Sequence, residues 1–175
     1  MNIAIVGATG NVGRKTLEVL EKKGLTLGNL YLVASSKSAG KKIHFQGKDI
    51  VVSELENFDF SKVKIAFFAA GGKISEKFAE KAAKHCLVID NSSFFRMDPD
   101  VPLIVPQVNS DALNNIKKNI IANPNCSTAQ LVIALKPLHD LFVIKRIVVS
   151  TYQSVSGAGK ASMDELIKQT KLALD

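Results

Sequence analysis

Residues 2–13, NIAIVGATGNVG, decide the fold. A strand-like run, Asn2 to Val6, passes directly into a loop whose glycines, Gly7, Gly10 and Gly13, are spaced as GxxGxxG. An amphipathic helix is expected immediately after it, Val12 to Lys23, with Val12, Thr16, Val19 and Leu20 on one face. Glycine is needed where a backbone turns tightly or lies close to a pyrophosphate. The N–H groups at the start of the following helix then receive the anion. A glycine triplet alone is weak evidence, but between a strand and an amphipathic helix it predicts dinucleotide binding.

Outward from this loop, short β-rich runs alternate with helical stretches, the pattern of a mostly parallel sheet covered by helices. Asn29 to Ala34 reads as the second strand, and Ile43 to Val52 as a hairpin turning at Gln46-Gly47. Lys64 to Ala69 is a strand, Ile74 to His85 a helix and Leu87 to Asp90 a strand. A loop rich in Pro, Asp and Asn leads to a short helix near Asp111 to Asn115 and a strand, Ile120 to Ala122. Ser127 to Leu138 reads as an apolar helix stopped at Pro137, and Ile144 to Tyr152 as a β-branched strand central in a sheet of its own. A last helix, Ala161 to Leu174, carries Met163, Leu166, Ile167, Thr170 and Leu174 on one face. The expected class is α/β, a Rossmann-like doubly wound parallel sheet over 1–122, with a second domain beginning in 123–175. The break at Asn123-Pro124 is the best boundary.

Composition narrows the function. A chain of 175 residues, 46% hydrophobic, is one large domain or one domain plus part of another. No apolar run approaches the roughly 20 residues of a membrane span, and MNIAIVGATG lacks the basic start of a secretion signal. The two cysteines, Cys86 and Cys126, suit a reduced, cytoplasmic setting, and no Cys/His cluster has zinc-ligand spacing, so no metal is expected. The net charge of +7 resides in dispersed lysine pairs without aromatic stacking platforms. That argues for solvated helix faces rather than nucleic-acid binding, with part of the excess attracting phosphorylated ligands.

Chemistry concentrates in NPNCST, Asn123 to Thr128, which sets Cys126 between a strand and the start of a helix. Unpaired N–H groups and the positive end of the dipole favour a thiolate there. A thiolate at the carboxyl end of a strand is a candidate nucleophile, against the ordinary fate of a cysteine as a small buried hydrophobe. The second strand bears on the cofactor. It ends in Ser35, Ser36, Lys37 and Ser38 with no acid for the ribose hydroxyls, which suits the 2′-phosphate of NADP better than NAD.

Other strand ends are small or polar. Ala70 and Gly71 would let a cofactor lie against the backbone. Arg96, after Asp90-Asn91-Ser92-Ser93, could hold a phosphate or carboxylate, or else form a surface salt bridge. Gln153 and the glycine-rich run Ser156 to Gly159 either line the same crevice or form a plain loop. His44, His85 and His139 read as structural or solvated, and Cys86 as a buried thiol.

Taken together and in order, GATGNVG, ASSKSAGK, DNSSFFR, NPNCST and STYQSVSGAG resemble the aspartate-semialdehyde dehydrogenases from Met1 to about Lys160. N-acetyl-glutamyl-phosphate reductases differ around their cysteine, and short-chain epimerases need a Tyr-x-x-x-Lys pair that Tyr152 and Ser156 do not supply. The resemblance implies NADPH-dependent reductive dephosphorylation of L-aspartyl 4-phosphate to aspartate 4-semialdehyde and phosphate, in the biosynthesis of lysine (through diaminopimelate), threonine and methionine. Cys126 would form the thioester and Asn125 place the carbonyl. Arg96 would hold the phosphate and Gln153 the substrate. Thr9, Gly10, Asn11, Val12, Lys37, Ser38, Ser156 and Gly157 would contact the cofactor.

The resemblance also implies that 123–175 begins an α+β catalytic and dimerisation domain, and that the full-length protein is a homodimer. Family members are about twice as long, with a histidine acid/base and an arginine and a glutamate for substrate in the second half. The expectation is therefore an N-terminal fragment, a split gene product or a shortened chain, inactive by itself. The alternative is a non-catalytic NADP-binding module.

Overall fold

The first strand is buried along its whole length, with no residue from Ile3 to Val6 more than 2% exposed. Such a strand needs a neighbour on either edge and a layer on either face. The structure, a computed structural model, describes residues 1–174. Its elements are β1 (Ile3–Val6), α1 (Asn11–Lys22), β2 (Leu30–Ala34), β3 (Lys42–Phe45), β4 (Lys48–Glu54), β5 (Ile65–Phe68), α2 (Gly72–Ala83), β6 (Leu87–Asp90), α3 (Pro106–Asn109), β7 (Ile120–Ala122), α4 (Cys126–Phe142) and α5 (Lys160–Leu174).

The strands form one seven-stranded sheet in the order β3-β4-β2-β1-β5-β6-β7. Every pairing is parallel except the β3–β4 hairpin. That hairpin turns at Gln46 and Gly47, both with positive φ (46° and 76°), the backbone a tight two-residue connection requires. From β1 the chain goes first to β2 on one side and later to β5 on the other. The order therefore reverses beside β1, where doubly wound sheets open a crevice at their carboxyl ends. Two apolar layers cover the faces. Leu17 and Leu20 of α1 pack with Ile5, Leu32 and Val52, while Phe78, Ala79 and Ala82 of α2 pack with Val6, Phe68 and Val88.

Three expectations in this region need correction. The buried stripe of α1 is Gly13, Leu17 and Leu20, whereas Val12 and Val19 are 46% and 45% exposed. Gly13 is the helix residue that sits against the loop, a Cβ there lying 2.2 Å from the Gly7 oxygen. The hairpin runs past Val52 to Glu54, because β4 also pairs with β2, Ala34 lying opposite Glu54. The short helix near Asp111 is a 3-10 segment, Ser110–Asn115, preceded by the one-turn α3.

The largest difference lies beyond residue 123. The α4 helix does not stop at Pro137 but continues to Phe142, where Val143 takes a left-handed cap and its N–H reaches the His139 carbonyl at 2.8 Å. Proline removes one intrahelical bond and leaves the others. Ile144 to Tyr152 is not a strand in this structure. A strand exists through its ladder, and no strand among the described residues pairs with this stretch; Val148 is 79% exposed. The α5 helix forms where the periodicity placed it, starting at Lys160, but buries none of its residues. Among the described residues, no helix is long and apolar enough to cross a membrane.

Candidate active site

The glycine loop is shaped by contacts that leave no room for a side chain. Gly7 has φ +85°, and a Cβ there would sit 2.7 Å from the Ala69 carbonyl oxygen. A Cβ on Gly13 would meet the Gly7 oxygen at 2.2 Å, so α1 is seated directly on the loop. The Gly10 N–H donates to Gly7 O at 3.0 Å, and Gly10 caps α1. On the far side of the crevice Gly71, with φ +87°, caps α2. Two helix N-termini therefore open beside the ends of β1 and β5, where backbone N–H groups lack internal partners. This cradle, which a Cβ would fill, fits the pyrophosphate of a dinucleotide.

A cleft of about 1030 Å³ extends from there. Thr9, Gly10, Asn11, Val12, Ser35, Ser36, Ala70, Gly71, Arg96, Asn125, Cys126, Gln153, Ser156 and Gly157 all line it, a grouping expected from separate stretches of sequence. Three expected cofactor residues do not line it. Gly13 is buried beneath the loop, Lys37 is exposed outside the cleft, and Ser38 stands behind Thr9, whose Oγ1 lies 3.3 Å from its Oγ.

Cys126 is the first residue of the 17-residue α4 and is exposed to the cleft. The preceding Asn125 caps the helix through Oδ1, which accepts from the Ser127 N–H at 3.0 Å and the Ser127 hydroxyl at 2.9 Å. The same oxygen accepts from the Cys126 thiol at 3.4 Å. Asn125 therefore fixes both the helix start and the sulfur, and its Nδ2 makes no hydrogen bond among the described residues. The other cysteine differs in kind. Cys86 is buried, donates to Ala82 O at 3.4 Å, and burial pushes its thiol up to about 11.

The chain leading to Cys126 is tied to the strand ends. The Asn123 N–H donates to Asp90 O at 2.8 Å, and Arg96 Nε donates to Asn123 O at 2.8 Å. Arg96 Nη2 reaches Asn91 O at 3.4 Å. Among the described residues no carboxylate pairs with Arg96, so the salt-bridge reading does not hold, and Arg96 itself lines the cleft. Beneath it, Asp90 is fully buried and accepts from the Ser75 hydroxyl (2.7 Å), the Ser92 N–H (3.1 Å) and the Ser92 hydroxyl (2.7 Å). A buried carboxylate with three donors fixes the loop that carries Arg96.

Gln153 rests against the following turn, its Nε2 only 2.2 Å from where a Cβ on Gly157 would be. A side chain at 157 would push the amide away. Asn11 Nδ2 reaches Met163 Sδ at 3.6 Å, which brings α5 against the glycine loop. Of the histidines, His44 contacts Asp49 at 3.0 Å on the exposed hairpin. Among the described residues no group of three His, Cys, Asp or Glu could hold a metal ion.

Sequence reasoning missed Glu54, which lines the cleft beside Ser35 and Ser36. It lies 20 positions from Ala34, its partner in register, at the end of a strand read as ending at Val52. A hairpin extended by its polar residues would have been the signal.

Comparison with known proteins agrees with this geometry. A family model described as semialdehyde dehydrogenase, NAD binding domain, matches residues 2–116, and one described as semialdehyde dehydrogenase, dimerisation domain, matches residues 135–175. An aspartate-semialdehyde dehydrogenase of Rickettsia bellii is 53% identical over 172 residues, 97% of this chain and 51% of that protein. Aspartate-semialdehyde dehydrogenase 2 of Vibrio cholerae is 53% identical over 176 residues, 99% of this chain and 52% of its own. The chain thus spans about half the length of these curated relatives. The crystal structure of aspartate semialdehyde dehydrogenase II from Vibrio cholerae, complexed with ASA, superposes with TM-score 0.93 at 52% identity, over 99% of this chain and 52% of that one. That of the Candida albicans enzyme with NADP gives 0.65 at 29% identity, over 82% and 48%.

Proposed function

We propose, from the premise that this chain belongs to the semialdehyde dehydrogenase family, that it supplies the nucleophile and the dinucleotide cradle for reductive dephosphorylation of L-aspartyl 4-phosphate to aspartate 4-semialdehyde. The observation that carries this is Cys126 at the first position of α4, opening onto the cleft that begins at the glycine loop. The named relatives, and the Vibrio cholerae structure complexed with ASA, support the choice of substrate. NADP is the proposed dinucleotide. It is supported by Ser35 and Ser36 in the cleft wall and by the NADP complex of the Candida albicans enzyme.

The chain's residues divide the work. Arg96, held by the carbonyls of Asn91 and Asn123, offers its free N–H groups to the substrate's phosphate or carboxylate. Asn125 Nδ2 donates to the reacting carbonyl oxygen, and the Cys126 N–H, which has no intrahelical acceptor at this position, can donate to it as well. The Cys126 sulfur attacks the carbonyl carbon. A C–S bond forms, the C–O bond to phosphate breaks with its electron pair, and inorganic phosphate leaves. A bound nicotinamide would supply hydride for the thioester carbon, after which the C–S bond breaks, its electron pair returns to Cys126 as thiolate and the aldehyde is freed. Gln153, braced on Gly157, holds the substrate opposite Cys126. A homodimer built with residues 135–175 at its interface is part of the same proposal, in line with the dimerisation-domain match.

The test is intact-mass analysis of the chain exposed to aspartyl 4-phosphate. A hydroxylamine-labile adduct on Cys126, absent from Cys126→Ser, is the expected result. No adduct, or one on Cys86, would leave a dinucleotide-binding module without this chemistry.

A further inference from the structure

The absence of an acid at the end of β2 is what favours NADP in the sequence, yet the folded chain restores an acid at that point. Ala34 of β2 pairs in register with Glu54 of β4, and Glu54 lines the cleft together with Ser35 and Ser36. Lys37, the cation expected to meet a 2′-phosphate, is exposed and lies outside the cleft lining.

Two carboxylates stand in this wall, and they are not equivalent. Glu56 is exposed and neutralised by Lys77, whose Nζ lies 2.6 Å from its Oε1. Glu54 is half-buried and has no cationic partner among the described residues. Its one side-chain hydrogen bond among the described residues comes from Asn57, whose Nδ2 donates to Oε2 at 2.9 Å. Its Oε1 takes no hydrogen bond among the described residues. An uncompensated carboxylate with a free acceptor is suited to a hydroxyl donor and opposed to a second anion.

We propose that Glu54 is a cofactor-specificity residue, one that accepts from an unphosphorylated ribose and repels a 2′-phosphate, so limiting the chain's preference for NADP. This rests on the dinucleotide reading above. It places the ribose-reading acid on the strand beside β2, which the topology brings to the same edge of the crevice.

The experiment is calorimetric titration of the chain with NADP and NAD, and with 2′,5′-ADP and 5′-AMP to isolate the adenosine end. In Glu54→Gln the NADP-to-NAD affinity ratio should rise by about three- to tenfold, as expected for removing one like charge near a phosphate. The adenosine fragments should shift alike. In Glu56→Gln, where the charge is already paired, the ratio should move less than about twofold. Asn57→Ala, which strips the carboxylate of its donor, should shift the ratio toward NAD and gives a reading even if Glu54→Gln folds poorly. An unchanged ratio in both Glu54→Gln and Asn57→Ala overturns the proposal, as does an equal rise in Glu56→Gln. If neither dinucleotide binds the parent chain, the dinucleotide reading falls and this proposal with it. If both bind and only the ratio fails to move, Glu54 alone is struck out.

Discussion

Residues 3–122 and residues 123–174 are built on different terms. Among the described residues, every buried core residue lies between Ile3 and Ala122, while neither α4 nor α5 buries a single one. The first region explains its own helices, since α1 and α2 cover the two faces of the sheet. In the second, Leu141 and Phe142 are each 74% exposed, so the apolar faces that gave these helices their sequence signal are in contact with water. Cys126 belongs to the second region but takes its position from the first. It follows four residues after the last core residue, on a segment fastened by Asp90 and Arg96. The difference teaches that the site's precision is a property of the sheet, and that α4 contributes a helix start rather than a packed wall.

The sharpest way to break this contrast is to cut one large side chain from each region. Phe68 is fully buried in the layer beneath α2. Its replacement by alanine should cost about 3–5 kcal/mol of unfolding free energy in urea. Leu166→Ala in α5, half exposed in the parent, should change the same free energy by less than about 0.5 kcal/mol. Equal losses would mean that 123–174 is packed as tightly as the sheet.

The two cysteines, one in each region, sharpen it next. Burial raises the Cys86 thiol from 9.0 to about 11, so across that interval the folded chain holds a proton that the unfolded chain has lost. Its contribution to stability is complete below pH 9 and disappears as pH rises towards 11. Two pH units correspond to about 2.7 kcal/mol. Urea titrations at several pH values should show this fall, and Cys86→Ala should flatten it. At pH 8 an alkylating reagent should modify exposed Cys126 and leave Cys86 intact in the folded chain. A Cys86 that labels first would reverse the assignment of buried and reactive thiols.

A third variant addresses the joint between the regions. Ser75→Ala removes one of the three donors to buried Asp90 and should cost about 1–3 kcal/mol in thermal or urea unfolding. Because Asp90 fixes the Arg96 loop, the same change should slow adduct formation at Cys126. Unchanged stability and reactivity would detach the site from the sheet.

What could be read in advance follows the same division. The glycine loop, the parallel sheet and the position of Cys126 were legible because each depends on local chemistry: backbone room, strand-to-helix alternation and a helix start. Gly7, Gly13 and Asn125 are constrained by neighbours close to them in the chain or at the next strand end. Glu54 was not legible, because its place in the cleft wall depends on a parallel pairing with residues 20 positions earlier. Ile144 to Tyr152 failed for a related reason: β-branched composition marks a stretch that can pair and says nothing of what pairs with it. At Pro137 the expectation gave one missing hydrogen bond more weight than the rest of the helix allows.

The smallest energetic effect carries the most direct reading of the exposed face. Leu141 and Phe142 end α4, and Val143, Ile147 and Val148 follow, all more than half exposed. A run of large apolar side chains in water favours association over solvation. Leu141→Ser combined with Phe142→Ser removes apolar surface without opening a cavity, since neither side chain fills one. The unfolding free energy should therefore move by less than about 0.5 kcal/mol. Sedimentation velocity should nonetheless shift the population towards monomer across a concentration series, because only the associated state loses contacts. A large loss of stability with no change in association would show that these residues pack within the chain, and the contrast between the two regions would dissolve.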